Sequence, residues 1–200
     1  MSTHPALIFI ILFLAGCSGQ PALTPLESGD VILAFGDSLT YGTGVAAEQS
    51  YPAVLSDMSG FEVVRSGVPG ETSSQGLERL PRVLQDVAPD LVILCHGGND
   101  VLRRMDPVET EENLRKMIRK IRAYGADVAL LAVPKMGLFP GAPDYYTRIR
   151  DDMQVPVEID IVATLQSDST MKSDRVHFND KGYRKMAEAA HSMLKEAGAI

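Results

Sequence analysis

The sequence predicts a three-layer α/β/α fold, a flavodoxin-like parallel sheet of about five strands with helices on both faces. Three observations predict it. Short apolar runs alternate with longer segments of helical spacing from Val31 to the C-terminus, the pattern of strands joined by crossover helices. The first three runs each lead into a glycine and a polar cluster. The third, "LVILCHGG", begins with a continuous apolar stretch, as a strand covered on both faces requires.

The elements follow in order. "VILAFG" (31–36) is the first strand and ends at Gly36. Tyr51 to Met58 has helical spacing after Ser50. "FEVVRSG" (61–67) is the second strand. Ser73 to Val87 reads as a helix that Pro81 kinks or divides. "LVILCHGG" (91–98) is the third strand. Pro107 to Tyr124 carries Leu114, Met117, Ile118 and Ile121 at helical intervals, and Gly125 stops it. "DVALLAV" (127–133) is the fourth strand and "VPVEID" (155–160) a weaker fifth. Asn179 to Ala197 is a terminal helix capped by Asn179 or Asp180, with Tyr183, Met186, Ala187, Ala190, Met193 and Leu194 as its apolar seam. Between strands four and five, Pro134 to Tyr146 is too rich in Pro and Gly for an element and too apolar for an idle surface loop.

The 200 residues suit one domain preceded by a targeting segment. Ala6 to Ala15 is an unbroken apolar run, much shorter than the roughly 20 residues of a bilayer span. It reads as a signal-peptide core. It closes in Leu14-Ala15-Gly16-Cys17, which resembles a bacterial lipobox, although no Lys or Arg precedes the run. The expected organisation is a signal peptide over 1–16, a tether over 17–29 and a domain over 30–200. Cys17 then carries lipid, and the product is exported and held at a membrane. Only Cys17 and Cys95 exist, so a lipidated Cys17 leaves Cys95 without a disulfide partner. The net charge of -7 argues against a nucleic-acid partner.

Ligands of such sheets sit beyond the carboxyl ends of the strands. There the sequence places Gly36-Asp37-Ser38, then Gly67-Val68-Pro69-Gly70-Glu71-Thr72, then Gly97-Gly98-Asn99-Asp100. Asp174-Arg175-Val176-His177 comes near the C-terminus. A serine becomes a nucleophile when a neighbouring base takes its proton. The base is most often histidine, oriented by a carboxylate. Asp174 and His177 are three apart, so one helical turn sets both side chains on one side. The backbone N–H groups of Ser38 and Gly70 and the Asn99 amide could supply donors for an oxyanion. Asp37 reads as a turn-stabilising residue. His96 is the one rival base but lacks the Asp-x-x-His arrangement. His191 reads as a boundary residue of the terminal helix, and Cys95 as a small core residue.

"GDSLTYG", "SGVPGETS", "GGND" and "DRVH" together resemble the blocks of the SGNH, or GDSL, hydrolase family. They are most similar to its bacterial thioesterase, lysophospholipase and arylesterase branch. The resemblance implies Ser38 as nucleophile, Asp174 and His177 as the rest of the triad, and Ser38, Gly70 and Asn99 as the oxyanion hole. Two positions depart from the pattern. Phe178 follows the histidine where proline is usual, and His96 precedes the Gly-Gly where an aliphatic residue is common.

The expected activity is hydrolysis of carboxylic esters or thioesters of acyl or aryl substrates through an acyl-enzyme, with no cofactor. The alternatives are a carbohydrate O-acetyl esterase, weakly disfavoured by the absence of Trp, and a non-catalytic lipoprotein binding module on the same fold. No G-x-S-x-G elbow is present, since Thr40 stands in its fifth position. No pair of Cys or His has metal-ligand spacing, and no nucleotide-binding glycine string appears. The apolar "MGLFPG" after strand four could line a substrate pocket. The sequence leaves the oligomeric state open.

Overall fold

The computed structural model describes residues 21–135 and 141–200. The expected signal segment, Cys17 and most of "MGLFPG" lie outside the described residues.

Five parallel strands form one sheet in the order β2-β1-β3-β4-β5. They are β1 (Val31–Gly36), β2 (Glu62–Gly67), β3 (Leu91–Cys95), β4 (Asp127–Leu131) and β5 (Val157–Glu158). This is the flavodoxin-like order, whose direction of growth reverses between β1 and β3. The helices α2 (Tyr51–Ser59) and α8 (Asp180–Glu196) pack together, as do α3 (Ser73–Val87) and α5 (Pro107–Tyr124). Every residue of β3 is buried, as are Ile32 to Phe35 of β1, so the sheet is the middle layer of the core.

Register decides where the functional loops emerge. Gly36 of β1 aligns with Gly67 of β2 and with Cys95 of β3. The chain segments that follow these residues therefore leave the sheet at one level. The short helix α1 (Ser38–Tyr41) then folds directly over the strand ends. A Cβ on Gly36 would lie 2.3 Å from the Cys95 carbonyl oxygen, and one on Gly67 would lie 2.2 Å from the Tyr41 nitrogen. Only glycine permits that approach.

Several elements differ from expectation. The helix α3 runs unbroken through Pro81. Proline inside a helix costs about 3 kcal/mol. Here a Thr72–Gln75 capping box and the burial of Leu80 and Leu84 offset that cost. The third strand ends at Cys95, because Gly97 turns at φ +107° and Gly98 opens α4 (Gly98–Leu102). The segment from Pro134 to Tyr146 is not irregular throughout. Asp144 opens α6 (Asp144–Met153), which buries Tyr145, Tyr146 and Ile149. A further helix, α7 (Ile161–Ser167), packs against α8.

The described part of the expected tether is bound to the domain. Leu23 N–H donates to the Ala197 carbonyl and Leu26 N–H to that of Ala199, both at 2.8 Å. Thr24 N–H donates to Asp127 at 2.7 Å. This strap crosses the edge where the strands begin, opposite the edge that carries Ser38. Among the described residues no helix is long and apolar enough to cross a membrane.

Candidate active site

Ser38 is the first residue of α1, and Asp37 is its cap. The Asp37 carboxylate accepts the Leu39 N–H at 3.0 Å, which is the turn-stabilising role expected of it. The first N–H groups of a helix have no intrahelical acceptor, so the Ser38 N–H, at the first position of α1, has none within the helix. Ser38 itself is 8% exposed.

His177 reaches Ser38 from the other end of the chain. Its Nε2 lies 2.9 Å from Ser38 Oγ, and its Nδ1 lies 2.7 Å from Asp174 Oδ2. Asp174 and His177 share one side, but a helical turn is not the cause. Asp174 Oδ1 accepts the backbone N–H of Val176 at 2.7 Å and of His177 at 2.8 Å, an Asx turn. Antiparallel pairing of Lys172 with Phe178 closes the loop. Burial raises the Asp174 pKa, but the hydrogen bonds from the His177 ring and from the two N–H groups outweigh it and hold the carboxyl at about 2. With an ionised carboxylate on Nδ1, the imidazole carries its proton there and leaves Nε2 as an acceptor for the serine hydroxyl.

The other two loops supply donors. Gly70 turns at φ +79°, a conformation that disfavours residues with a Cβ. None of the backbone hydrogen bonds among the described residues uses its N–H. Its carbonyl is held from behind by Arg103 Nη2 at 2.8 Å. The Asn99 amide nitrogen donates to the Glu71 carbonyl at 3.0 Å and to Asp37 Oδ2 at 3.3 Å. Burial pushes the Asp37 carboxyl pKa up, against the lowering influence of His96. Ser38, Gly70 and Asn99 therefore belong to three loops joined by hydrogen bonds at one edge.

A buried network fixes the second and third loops to each other. Asp100 accepts the Ser73 N–H at 2.9 Å and the Ser73 hydroxyl at 2.5 Å. Thr110 Oγ1 reaches the same carboxylate at 3.4 Å, and Asn113 donates to Ser73 Oγ at 3.1 Å. From α6, the Tyr146 hydroxyl donates to the His96 carbonyl at 2.7 Å.

Beside Ser38 lies a cleft of about 390 Å³, open solvent at its mouth included. Leu39, Leu102, Val133, Pro134 and Val176 give it apolar walls, and Asn99 a polar one. Of the expected apolar loop, the part that could be tested as lining, Met136 to Pro140, is outside the described residues. Phe178 does not shape this cleft: it is fully buried, edge-on to Tyr183 at 5.7 Å. Cys95 is a buried core residue with a free thiol, which burial holds well above the ordinary thiol pKa. Among the described residues no group of three or more His, Cys, Asp or Glu is arranged to hold a metal ion.

A family model described as the GDSL-like lipase/acylhydrolase family matches residues 34–185. The chain belongs to this family. It is 37% identical over 127 residues to esterase TesA of Pseudomonas aeruginosa, a match covering 61% of this chain and 63% of that protein. It is 38% identical over 108 residues to thioesterase 1/protease 1/lysophospholipase L1 of Escherichia coli strain K12, covering 53% of this chain and 52% of that protein. The matches thus span between half and two thirds of these curated relatives. The crystal structure of TesA superposes with a TM-score of 0.75 at 28% identity, covering 84% of this chain and 99% of that one.

Within this GDSL-like chain, sequence reasoning missed the supports. Gln166 of α7 donates its amide to the Val176 carbonyl, next to His177, and also borders the cleft. Glu71 and His96, with the half-buried Arg79, form a second group near Asn99. Nothing in local spacing signals these contacts, because Gln166 and Val176 are 10 residues apart and Glu71 and His96 are 25 apart.

Proposed function

We propose that this GDSL-like protein is a serine esterase that hydrolyses carboxylic esters or thioesters of acyl or aryl groups. The observation that carries the reading is the unbroken hydrogen-bonded chain from Ser38 Oγ through His177 to Asp174, at 2.9 and 2.7 Å. Its geometry suits general-base activation of a serine.

The steps follow from the residues. Ser38 Oγ attacks the carbonyl carbon as its proton passes to His177 Nε2. The ionised Asp174 stabilises the imidazolium and keeps the ring in place. Negative charge collects on the carbonyl oxygen, where the Ser38 and Gly70 N–H groups can meet it, joined by the Asn99 amide once one of its two N–H groups leaves the longer 3.3 Å contact with Asp37. Collapse of the tetrahedral intermediate breaks the bond to the leaving oxygen or sulfur, which takes the proton from Nε2. Water then attacks the acyl-enzyme, gives its proton to Nε2 and releases the acid, and the proton returns to Ser38 Oγ.

The substrate class rests on two supports. The cleft walls beside Ser38 are mostly apolar, which suits an acyl or aryl group better than a sugar. The relatives named above are an esterase and a thioesterase/protease/lysophospholipase. Hydrolysis of p-nitrophenyl acyl esters of increasing chain length by the purified protein tests the reading. Release of p-nitrophenol that is lost in Ser38→Ala supports it, and an inactive wild-type protein sinks it.

The Leu-Ala-Gly-Cys sequence supports export and a lipid anchor on Cys17. The strap at Leu23–Leu26 lies at the edge of the sheet opposite Ser38.

A further inference from the structure

His96 is the residue that departs from the family pattern immediately before Gly97-Gly98-Asn99, and it is completely buried. A buried imidazole needs a reason. Its Nε2 lies 3.0 Å from Glu71 Oε2, while its Nδ1 has no hydrogen-bond partner. A carboxylate only accepts, so Nε2 carries a proton and donates it to Glu71.

Glu71 is held from its other side as well. Arg79 Nε and Nη2 bind its two carboxylate oxygens, each at 2.7 Å, a bidentate pairing. Arg79 Nη1 also donates to Ser66 Oγ at 2.7 Å, at the end of β2, and its guanidinium lies 4.1 Å over the Phe35 ring. Phe35 in turn faces the His96 ring at 5.6 Å. The floor beneath the loops is thus packed from β1, β2, α3 and β3 together. The space is cut to the imidazole: a Cβ on Gly76 of α3 would lie 2.4 Å from His96 Nε2.

The backbone of Glu71 sits between both side-chain-independent and side-chain-dependent donors of the site. Gly70 is its immediate neighbour, and the Glu71 carbonyl is the 3.0 Å acceptor that holds the Asn99 amide. His96 lies three residues before Asn99 on the opposite loop. We propose that His96 is a positioning residue of the oxyanion hole: by donating to the Glu71 side chain it locks the Gly70–Glu71 loop to the loop that carries Asn99. Its action runs through Glu71 and touches no reacting atom. This inference rests on the serine-esterase reading of Ser38.

Donors that act on the developing oxyanion contribute mainly in the transition state. Displacing them should therefore lower kcat and spare KM. His96→Leu removes the donor and keeps a buried side chain of similar bulk. His96→Gln retains an amide donor near the position of Nε2. Both are assayed on a p-nitrophenyl ester beside wild type, Asn99→Ala and the His96→Leu/Asn99→Ala double variant. We expect His96→Leu to lower kcat roughly tenfold to a hundredfold, short of the hundredfold to thousandfold for losing a donor outright. KM should stay within about twofold, and His96→Gln should recover most of the loss. The double variant should lose less than the product of the two single losses, because both act on one device. If circular dichroism shows His96→Leu unfolded, His96→Met, which also lacks a donor and is unbranched at Cγ, takes its place and should show the same kcat-specific loss. Normal kcat in a folded His96→Leu or His96→Met variant, failure of His96→Gln to recover, or strictly multiplicative losses would each overturn the proposal. Active wild type with any of these results rejects the positioning role alone. Inactive wild type rejects the esterase reading and this role with it.

Discussion

Asp174 grips His177 twice, taking its backbone N–H on Oδ1 at 2.8 Å and its ring Nδ1 on Oδ2 at 2.7 Å. One carboxylate thus sets both the local turn and the orientation of the ring. Replacing His177 by Ala should therefore abolish the base while leaving the turn, because the turn uses main-chain N–H groups. We expect kcat to fall by several powers of ten with little change in thermal stability, measured by ester hydrolysis and circular dichroism.

The same pair makes a pH prediction. The Asp174 carboxyl sits at about 2, below its ordinary value of 3.8. A depressed carboxyl contributes stability that is present above its unfolded value and is lost as pH falls through its folded value. Asp174 therefore stays ionised through mildly acid conditions. The difference in urea midpoint between wild type and Asp174→Asn should stay constant from neutral pH down to about pH 4 and shrink only as the pH falls toward about 2. A difference that is already gone at about pH 4 would exclude the depressed carboxyl.

Ser38→Ala should lower kcat by several powers of ten and leave the fold unchanged. The cap of α1 is supplied by Asp37, not by Ser38, so the hydroxyl has no structural duty to lose. Near-normal turnover by a folded Ser38→Ala protein would reject the nucleophile.

Legibility in the sequence followed the range of the interactions. The helices α5 and α8 announce themselves because Leu114, Met117, Ile118 and Ile121, or Met186, Ala187, Ala190 and Met193, repeat at helical intervals, and burial follows that local spacing. Two strand ends were readable from Gly36 and Gly67, while the third strand stops at Cys95, short of the expected Gly97 and Gly98. The helix α6 was hidden because Tyr145 and Tyr146 follow a Pro- and Gly-rich stretch. The Asp174–His177 turn was misread as helical because a carboxylate binding N–H groups two and three residues on leaves no periodic trace. The His96–Glu71 and Gln166–Val176 contacts are tertiary, and residue order alone does not encode their distances.

Asp100 offers a stability test separate from catalysis. It is 1% exposed and accepts from Ser73 N, Ser73 Oγ and Thr110 Oγ1. Asp100→Ala leaves the Ser73 N–H and hydroxyl without this acceptor, whereas Thr110 keeps the Asp106 carbonyl at 3.1 Å, and hydrogen bonds to a charged group contribute about 1.5–3 kcal/mol each. We expect a loss of about 3 kcal/mol or more in urea denaturation. A midpoint equal to that of wild type would show that the network is not a structural link.

For the anchor, Cys17→Ser in the full-length precursor should abolish labelling by a radioactive or clickable fatty acid during expression. Wild-type protein should carry the label and enter the detergent phase on partitioning. Unlabelled wild-type protein confined to the aqueous phase would overturn the lipid anchor.

The last prediction separates an oxyanion donor from a loop support. The Asn99 amide already donates to the Glu71 carbonyl at 3.0 Å and to Asp37 Oδ2 at 3.3 Å. Its loss should appear in kcat more than in KM, by about a hundredfold to a thousandfold. Asn99→Asp nearly preserves shape and should be worse than Asn99→Ala. It replaces the donor by an acceptor facing the Glu71 carbonyl, and it sets a second carboxylate beside Asp37, whose own pKa burial already pushes up. Two carboxylates sharing one site disfavour each other's charge, and either charge repels the oxyanion. A trifluoromethyl ketone, which forms a tetrahedral oxyanion on the serine, should lose affinity in parallel with kcat across the two variants. If Asn99→Ala instead raises KM alone, or if the ketone binds it as tightly as wild type, Asn99 holds the loop and takes no part in oxyanion binding.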